Sequence, residues 1–328
     1  MNINSISTPT IATKSINQAA QGKTIIQNKN DWVSEGDKRS QALNDKYRKI
    51  NEQNKQFKNP INHIIDKYGN QNSPYFRSDL TETERDASLS SELCWFKNGL
   101  LGCYDFRDSL FRKNAPINGD VDVAERKEFN RQKVNDQFKQ LLDKYQINLP
   151  NDTKLTFTID PNNYKVTVSG TDNIKLSGQL EQAMNTDDNA KELFVHIIQS
   201  RSYNSTQFTP KKYDKYNLVR VMKNVTGYDL KNLAVVDGKF VTENGTDVFD
   251  IYKNALLNTP YAGILVAHYG SQMNDLAKNG FNSIPDLFLS IGYENGSLQD
   301  IGQKESYGTG KTDWIKELKA RFSSMKLL

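Results

Sequence analysis

The chain has 328 residues, which is enough for one large domain or two ordinary ones. Apolar residues make up 36% of it and the mean hydropathy is −0.71, so we expect a core rich in aromatic side chains beneath a thick polar surface. A net charge of +4, from 43 Lys and Arg against 39 Asp and Glu, lacks the clustered basic footprint of a nucleic-acid-binding protein. We therefore expect no nucleic-acid partner.

No stretch of the sequence approaches the roughly 18 consecutive apolar residues that a transmembrane helix needs. Residues 1–23 also lack the apolar segment of a secretory signal peptide. We therefore expect a cytoplasmic protein, or one released without a Sec signal, with a mother-cell inclusion as one specific location.

The N-terminal half is predicted to be helical after a polar tail. Residues 1–30 are rich in Ser, Thr, Asn and Gln, and they predict a flexible tail whose isolated isoleucines need another surface to bury them. The helical region that follows is predicted to cover 31–146. Its helical segments, each marked by capping residues or an apolar stripe, are 35–57, 60–69, 81–101 and 121–145. Thr81 and Glu84 have the spacing of a capping box at the start of the third segment.

The remaining region, 147–328, mixes strands and helices. Residues 155–159 and 165–169 alternate apolar and polar side chains around a Pro-Asn turn, as a half-buried hairpin does. Asp237-Gly238 and Asn295-Gly296 predict two more tight hairpins. Strands that come as hairpins form a largely antiparallel sheet. The predicted fold class is therefore α+β, with a helical N-terminal half and then a small antiparallel sheet interspersed with helices.

The sequence contains no convincing catalytic, cofactor or metal motif. Residues 308–312 end like a phosphate-binding loop, but Glu305 stands where that motif needs its first glycine. No two of the histidines, His63, His196 and His268, have the spacing of metal ligands. We therefore predict no catalytic residue, no cofactor and no metal, and we favour a role without enzymatic activity.

Two cysteines, Cys94 and Cys103, are too few for a disulfide framework or a four-ligand zinc site. We interpret them as reduced thiols in or beside a helical core. A single disulfide between them is the alternative.

Aromatic residues are dense in the helical half. Such residues are enriched at protein interfaces, and a small helical core also needs them. We favour the core and keep a protein-binding surface as the alternative. The residues are Tyr75, Phe76, Trp95, Phe96, Tyr104, Phe106 and Phe111.

Several segments of the chain carry a resemblance to a known family: 64–68, 73–75, 80–87, 118–125, 155–170, 224–230 and 278–281. Together they resemble an uncharacterised domain of unknown function from spore-forming Gram-positive bacteria, whose members have about this length. The resemblance runs from about Asn59 onward and is weakest over 94–111. It implies a bacterial source and one shared architecture, and it assigns no catalytic residue.

These observations lead to three hypotheses for the function. The first is a non-enzymatic protein that associates with copies of itself, in a sporulation-associated or crystalline inclusion. The second is a toxin or effector that acts on a host or competitor cell. The third is a hydrolase whose acidic residues meet only in the folded chain. We favour the first, because the sequence lacks a catalytic constellation and its tail needs a surface to cover its isoleucines.

Overall fold

The computed structural model describes residues 24–29, 31–101, 105–112, 118–150 and 152–323. Helices predominate in these ranges beside a four-stranded and a two-stranded antiparallel sheet, which confirms the predicted α+β class. The helices are α1 Glu35–Asn54, α2 Pro60–Gly69, α3 Glu82–Asn98, α4 Ser109–Arg112, α5 Gly119–Lys144, α6 Ile174–Met184, α7 Asn189–Ser200, α8 Pro210–Thr226, α9 Val248–Leu256, α10 Ala262–Asn279 and α11 Asp313–Ser323. The strands are β1 Leu155–Ile159, β2 Val166–Ser169, β3 Ala234–Val236, β4 Lys239–Val241, β5 Leu289–Glu294 and β6 Ser297–Asp300.

Local chemistry sets the helix boundaries. Ser34 accepts a hydrogen bond from a backbone amide in the first turn of α1, and Thr81 and Glu84 form the predicted capping box at the start of α3. α3 ends earlier than the sequence predicts, at Asn98. The reason is Gly99, whose left-handed backbone (φ 72°) terminates the helix.

The four-stranded sheet has the order β2-β1-β5-β6, and every neighbouring pair is antiparallel. The pairing of Phe157 with Ile291 joins β1 to β5, so two predicted hairpins from distant parts of the chain share one sheet. The predicted hairpin turn at Asn295-Gly296 has positive φ at both residues (51° and 76°), as type I′ geometry requires.

The largest hydrophobic core lies between this sheet and the helices α5, α6 and α7. Leu155, Phe157 and Ile159 point into it from β1. Phe138 of α5 stands edge-on to Phe157, with ring centroids 5.4 Å apart. Because α5 belongs to this core, side-chain contacts continue across residue 146, where the sequence suggests a division.

Residues 24–29, at the end of the predicted tail, lie against α5 and α7. Ile26 is completely buried in the main core. The side-chain oxygen of Asn189 accepts hydrogen bonds from the Ile25 and Ile26 amides at 2.9 and 3.0 Å, and Asn28 bonds to Glu192. The isoleucine at 26 thus finds its covering surface within the chain. Residues 1–23 and 30 lie outside the described ranges.

Two buried carboxylates hold the helices of the N-terminal half together. Glu92 of α3 accepts hydrogen bonds from α1 and α2, and Asp108 accepts them from α1. Buried charges of this kind are tolerated because each has a cation and further donors around it. The donors to Glu92 are Asn54, Lys67 and Tyr68, and those to Asp108 are Lys46, Tyr47 and the Leu110 amide.

A second hydrophobic core joins α8, α9 and α10 to the β3–β4 ribbon. The ribbon turns at Asp237-Gly238, again with positive φ at both residues (49° and 72°). It contributes Phe240, which is buried beside Tyr252 of α9 and Met273 of α10. This core gives α9 and α10 a fixed position, with one side of α10 turned towards solvent.

Candidate functional site

Three of the seven aromatic residues that the sequence singled out pack in small helical cores. Trp95 packs with the buried Phe111 in one cluster, and Phe96 packs in another. Phe76 is half-buried beneath the guanidinium group of Arg85, 5.0 Å from the ring centroid. Trp95, Phe96 and Phe111 therefore pack inside the helical half, and Phe76 is covered on one face only.

Two aromatic residues of the same set are exposed. Tyr75 stands edge-on to the stacked rings of Phe57 and His63, with centroid distances of 5.4 and 4.7 Å. Phe106 is largely exposed, and its ring contacts that of Phe111. Tyr75 and Phe106 therefore remain candidates for a protein-binding surface, whereas Tyr104 lies outside the described residues.

Cys94 is half-buried in α3, and its Sγ lies 3.5 Å from the Leu100 carbonyl oxygen. Cys103 lies outside the described residues, so a disulfide between the two stays a prediction. Within the described ranges, no three His, Cys, Asp or Glu side chains are grouped as metal ligands. No helix in the same ranges has the length and apolar character needed to cross a membrane.

An exposed apolar surface that the sequence reasoning missed lies where α9 meets α10. Leu257, Tyr261 and Ile264 are 71%, 69% and 68% exposed, and we call them the α9–α10 corner. They lie within residues 254–274, which contain no Asp, Glu, Lys or Arg although a quarter of the whole chain is charged. That charge-free stretch is the sequence signal that points to this surface.

The backbone holds the α9–α10 corner in one conformation. The amide and the hydroxyl of Thr259 both donate to the Leu256 carbonyl at 2.8 Å, which closes a turn after α9. Tyr261 then adopts a left-handed backbone (φ 65°), which costs a residue with a side chain about 1–2 kcal/mol. Its carbonyl accepts hydrogen bonds from the amides of Ile264 and Leu265 at 3.0 and 3.1 Å. Strain of this kind is concentrated at functional positions in proteins.

The opposite side of α10 is already buried. Tyr269 and Met273 pack against α8 and α9, and the ring of Tyr252 meets that of Tyr269 edge-on, with centroids 6.2 Å apart. Burial, followed by the nearby Tyr269, raises the pKa of Tyr252 to about 12, so this contact is uncharged at neutral pH. α10 thus carries apolar side chains on its buried side and, near its start, also on its exposed side, which is unusual for a helix that only has to cover one core.

A buried polar network joins α5, α7 and β6. Arg131 of α5 is completely buried and forms an ion pair with Asp300 of β6, with Nη2 and Oδ1 2.8 Å apart. Its Nε donates to Nε2 of His196 at 2.8 Å, and its Nη2 donates to Oγ of Ser200 at 3.0 Å. The Tyr307 amide also donates to Asp300. One arginine therefore connects three elements of the main core.

Serine, histidine and aspartate meet in this network without the geometry of a hydrolase. Nε2 of His196 accepts from Arg131 and so cannot take a proton from Ser200. Burial, followed by the charge of Arg131, holds the pKa of His196 well below its usual value. The neutral ring then carries its proton on Nδ1, which has no hydrogen-bond partner among the described residues. The network stabilises the fold and does not activate a nucleophile.

Comparison with known proteins identifies the family to which this chain belongs. The chain is 44% identical over 301 residues to "Uncharacterized protein YbdO" of Bacillus subtilis (strain 168), a match that covers 90% of this chain and 76% of that relative. No solved structure matches the chain. A family model described as "Domain of unknown function (DUF4885)" matches residues 4–319. The resemblance to an uncharacterised family found in spore-formers is confirmed, and the chain belongs to the DUF4885 family.

Proposed function

We propose that this protein is a non-enzymatic interaction protein that associates with a second copy of itself through the α9–α10 corner. The observation that carries the proposal is the exposure of Leu257, Tyr261 and Ile264 within a charge-free stretch. Burial of one such side chain contributes about 1.5–3 kcal/mol. Three from each copy would offset much of the entropy lost on association, which is about 4–15 kcal/mol.

The lack of charge favours a second copy as the partner. A two-fold contact brings the same surface of both copies together, so a charged side chain beside the two-fold axis would face the same charge on the other copy. Residues 254–274 avoid this repulsion because they contain no Asp, Glu, Lys or Arg. Tyr261, at the start of α10, supplies the aromatic anchor that is common at the centre of such contacts.

Sedimentation velocity over a range of concentrations tests this proposal. The full-length protein should associate as its concentration rises, and the variant Leu257→Lys/Ile264→Lys should stay monomeric because like charges then face each other. Ile174→Lys is the matched control, since Ile174 is an exposed apolar residue on α6, outside the corner. The proposal would be contradicted if the full-length protein stayed monomeric at about 100 μM, because the dissociation constant of the dimer would then be higher than about 100 μM.

An inclusion needs more than this contact. A two-fold contact through one surface closes at a dimer, so a lattice requires a second interface. The exposed rings of Tyr75 and Phe106 are the candidates for it. In the variant Tyr75→Ser/Phe106→Ser, light scattering from large assemblies should disappear while the dimer persists. Loss of the dimer as well would contradict this division of roles.

A toxin or effector role is the second candidate, and the same corner favours it. Exposed aromatic and aliphatic side chains at a helix start can enter the interface of a lipid bilayer. The test is addition of the protein to insect, nematode or bacterial cells and to lipid vesicles. Vesicle binding and loss of viability that both vanish in Leu257→Lys/Ile264→Lys would favour this role over self-association. Full viability at micromolar dose would count against it.

A further inference from the structure

A polar cavity lies between residues 24–29, α5 and α7, apart from the α9–α10 corner. Its volume is about 310 Å³. Four cationic side chains line it, and no Asp or Glu is among the described residues of its wall. The cations are Lys29, Arg126, Lys127 and Lys133.

The positive charge at this cavity is only partly neutralised by neighbouring residues. Lys133 pairs with Asp31 at 2.6 Å, beyond the wall of the cavity. Lys127 donates to the carbonyl oxygen of Arg201 at 2.7 Å, and burial, followed by the charge of Arg201, lowers its pKa. Glu192, on α7, is bound to the backbone and side chain of Asn28. The wall therefore attracts an anion.

Two residues of the wall each have a buried polar atom that lacks a hydrogen-bond partner within the described structure. Nδ1 of His196, a donor because Nε2 accepts from Arg131, is one of them. The side-chain oxygen of Asn130, an acceptor, is the other. His196 is 1% exposed, and each unpaired buried group costs about 1–3 kcal/mol. A ligand that accepts from His196 and donates to Asn130 would remove both costs.

We propose that this cavity binds a small solute with a phosphate group, either inorganic phosphate or a phosphate ester of a hydroxylated metabolite. Phosphate oxygens accept from the His196 ring and from the cations of the wall. Inorganic phosphate keeps an O–H at neutral pH that donates to Asn130, and a hydroxylated ester supplies a hydroxyl for the same purpose. Sulfate has the same shape but no proton, so it leaves Asn130 unpaired.

The N-terminal segment couples this cavity to the fold. Gln27, Asn28 and Lys29 form part of its wall, and the Gln27 amide bonds to the side chain of Gln137 on α5 at 3.2 Å. A ligand that contacts this wall binds only the docked form of the segment, so it stabilises that form. Hydrogen exchange of the amides in 24–29 should therefore slow when phosphate binds.

Isothermal titration calorimetry on the full-length protein is the test, with inorganic phosphate, glycerol phosphate, glycerol and sulfate as the probes. We expect one saturable site for phosphate or glycerol phosphate, no binding of glycerol, and an affinity for sulfate weaker by about tenfold. Lys29→Gln/Arg126→Gln should weaken binding by at least about tenfold. Lys97→Gln/Lys278→Gln removes two exposed cations elsewhere and should change nothing.

Three results would overturn the proposal. The first is the absence of saturable binding by either phosphate probe up to about 10 mM. The second is an equal loss of affinity in the control variant, because this means non-specific attraction by net charge. The third is sulfate binding as tight as phosphate binding, together with an unchanged affinity in Asn130→Ala.

Discussion

Nε of Arg131 donates a 2.8 Å hydrogen bond to Nε2 of His196, and both side chains are buried. This bond joins α5 to α7, and the ion pair of the same arginine with Asp300 joins both helices to β6. The cation is therefore shared by three elements that lie far apart in the chain. Its removal would leave a buried carboxylate and a buried ring nitrogen without partners.

We predict that Arg131→Met lowers the free energy of unfolding by about 3–5 kcal/mol, because Asp300 is left buried and unpaired. Urea denaturation followed by circular dichroism measures this. Arg48→Met is the control: it breaks an exposed ion pair with Asp45 and should cost less than about 1 kcal/mol. A second change, Asp300→Leu, should restore part of the loss. Equal effects of Arg131→Met and Arg48→Met would refute this role of the network.

His196 predicts a pH dependence of stability. Its pKa in the folded protein is far below the usual value near 6.5, so below about pH 6.5 the unfolded chain binds a proton that the folded chain does not. The contribution of His196 to the free energy of unfolding should therefore be fully present above about pH 6.5. It should fall as the pH is lowered, by at most about 1.4 kcal/mol per pH unit. Urea denaturation between about pH 7.5 and pH 5 measures the slope, because this range brackets the usual histidine pKa near 6.5.

His196→Gln should flatten this slope, whereas His268→Gln, at an exposed histidine, should not. A smaller slope should persist in His196→Gln, because burial and then the charge of Lys67 also lower the pKa of His63. An unchanged slope in His196→Gln would show that another group controls the acid sensitivity.

Asn189→Ala should release the segment 24–29 from α7. The substitution leaves the amides of Ile25 and Ile26 without their acceptor, and an unpaired buried donor costs about 1–3 kcal/mol. Hydrogen exchange at these two amides should accelerate by about tenfold or more. Asn279→Ala, which removes an exposed hydrogen bond to Asp275, serves as the control. Unaltered exchange at 25 and 26 would mean that burial of Ile26 alone holds the segment.

Tyr261→Gly should raise stability and weaken self-association at the same time. Glycine adopts the left-handed backbone at this position without the cost of about 1–2 kcal/mol that a side chain adds. The monomer should therefore unfold at a higher urea concentration while the dimer is lost. Tyr203→Gly is the control: Tyr203 is exposed and not among the residues with positive φ, so glycine there should not stabilise. Stabilisation without a change in association would exclude Tyr261 from the contact.

Part of the candidate site could be predicted from the sequence. The absence of charged residues from 254–274 can be read directly from the sequence. The sequence did not tell which side of α10 is buried, because apolar residues occur on both sides. Contacts of Tyr269 and Met273 with α8 and α9 decide that, and they leave Tyr261 and Ile264 exposed.

The sequence by itself determined the local structure. The capping box of Thr81 and Glu84 and the Asp237-Gly238 and Asn295-Gly296 turns were predicted correctly. Such features depend on steric and hydrogen-bonding preferences that act over a few residues, so the local amino-acid sequence is enough to predict them.

Only the tertiary structure decided which distant groups meet. It placed β1 beside β5, and it buried Arg131 between His196 and Asp300. It also covered Ile26 with the main core. The local sequence shows whether a residue is apolar or charged, but it does not show which distant residue that residue contacts. This choice depends on the free energy of the whole folded chain, to which burial, loop closure and desolvation all contribute.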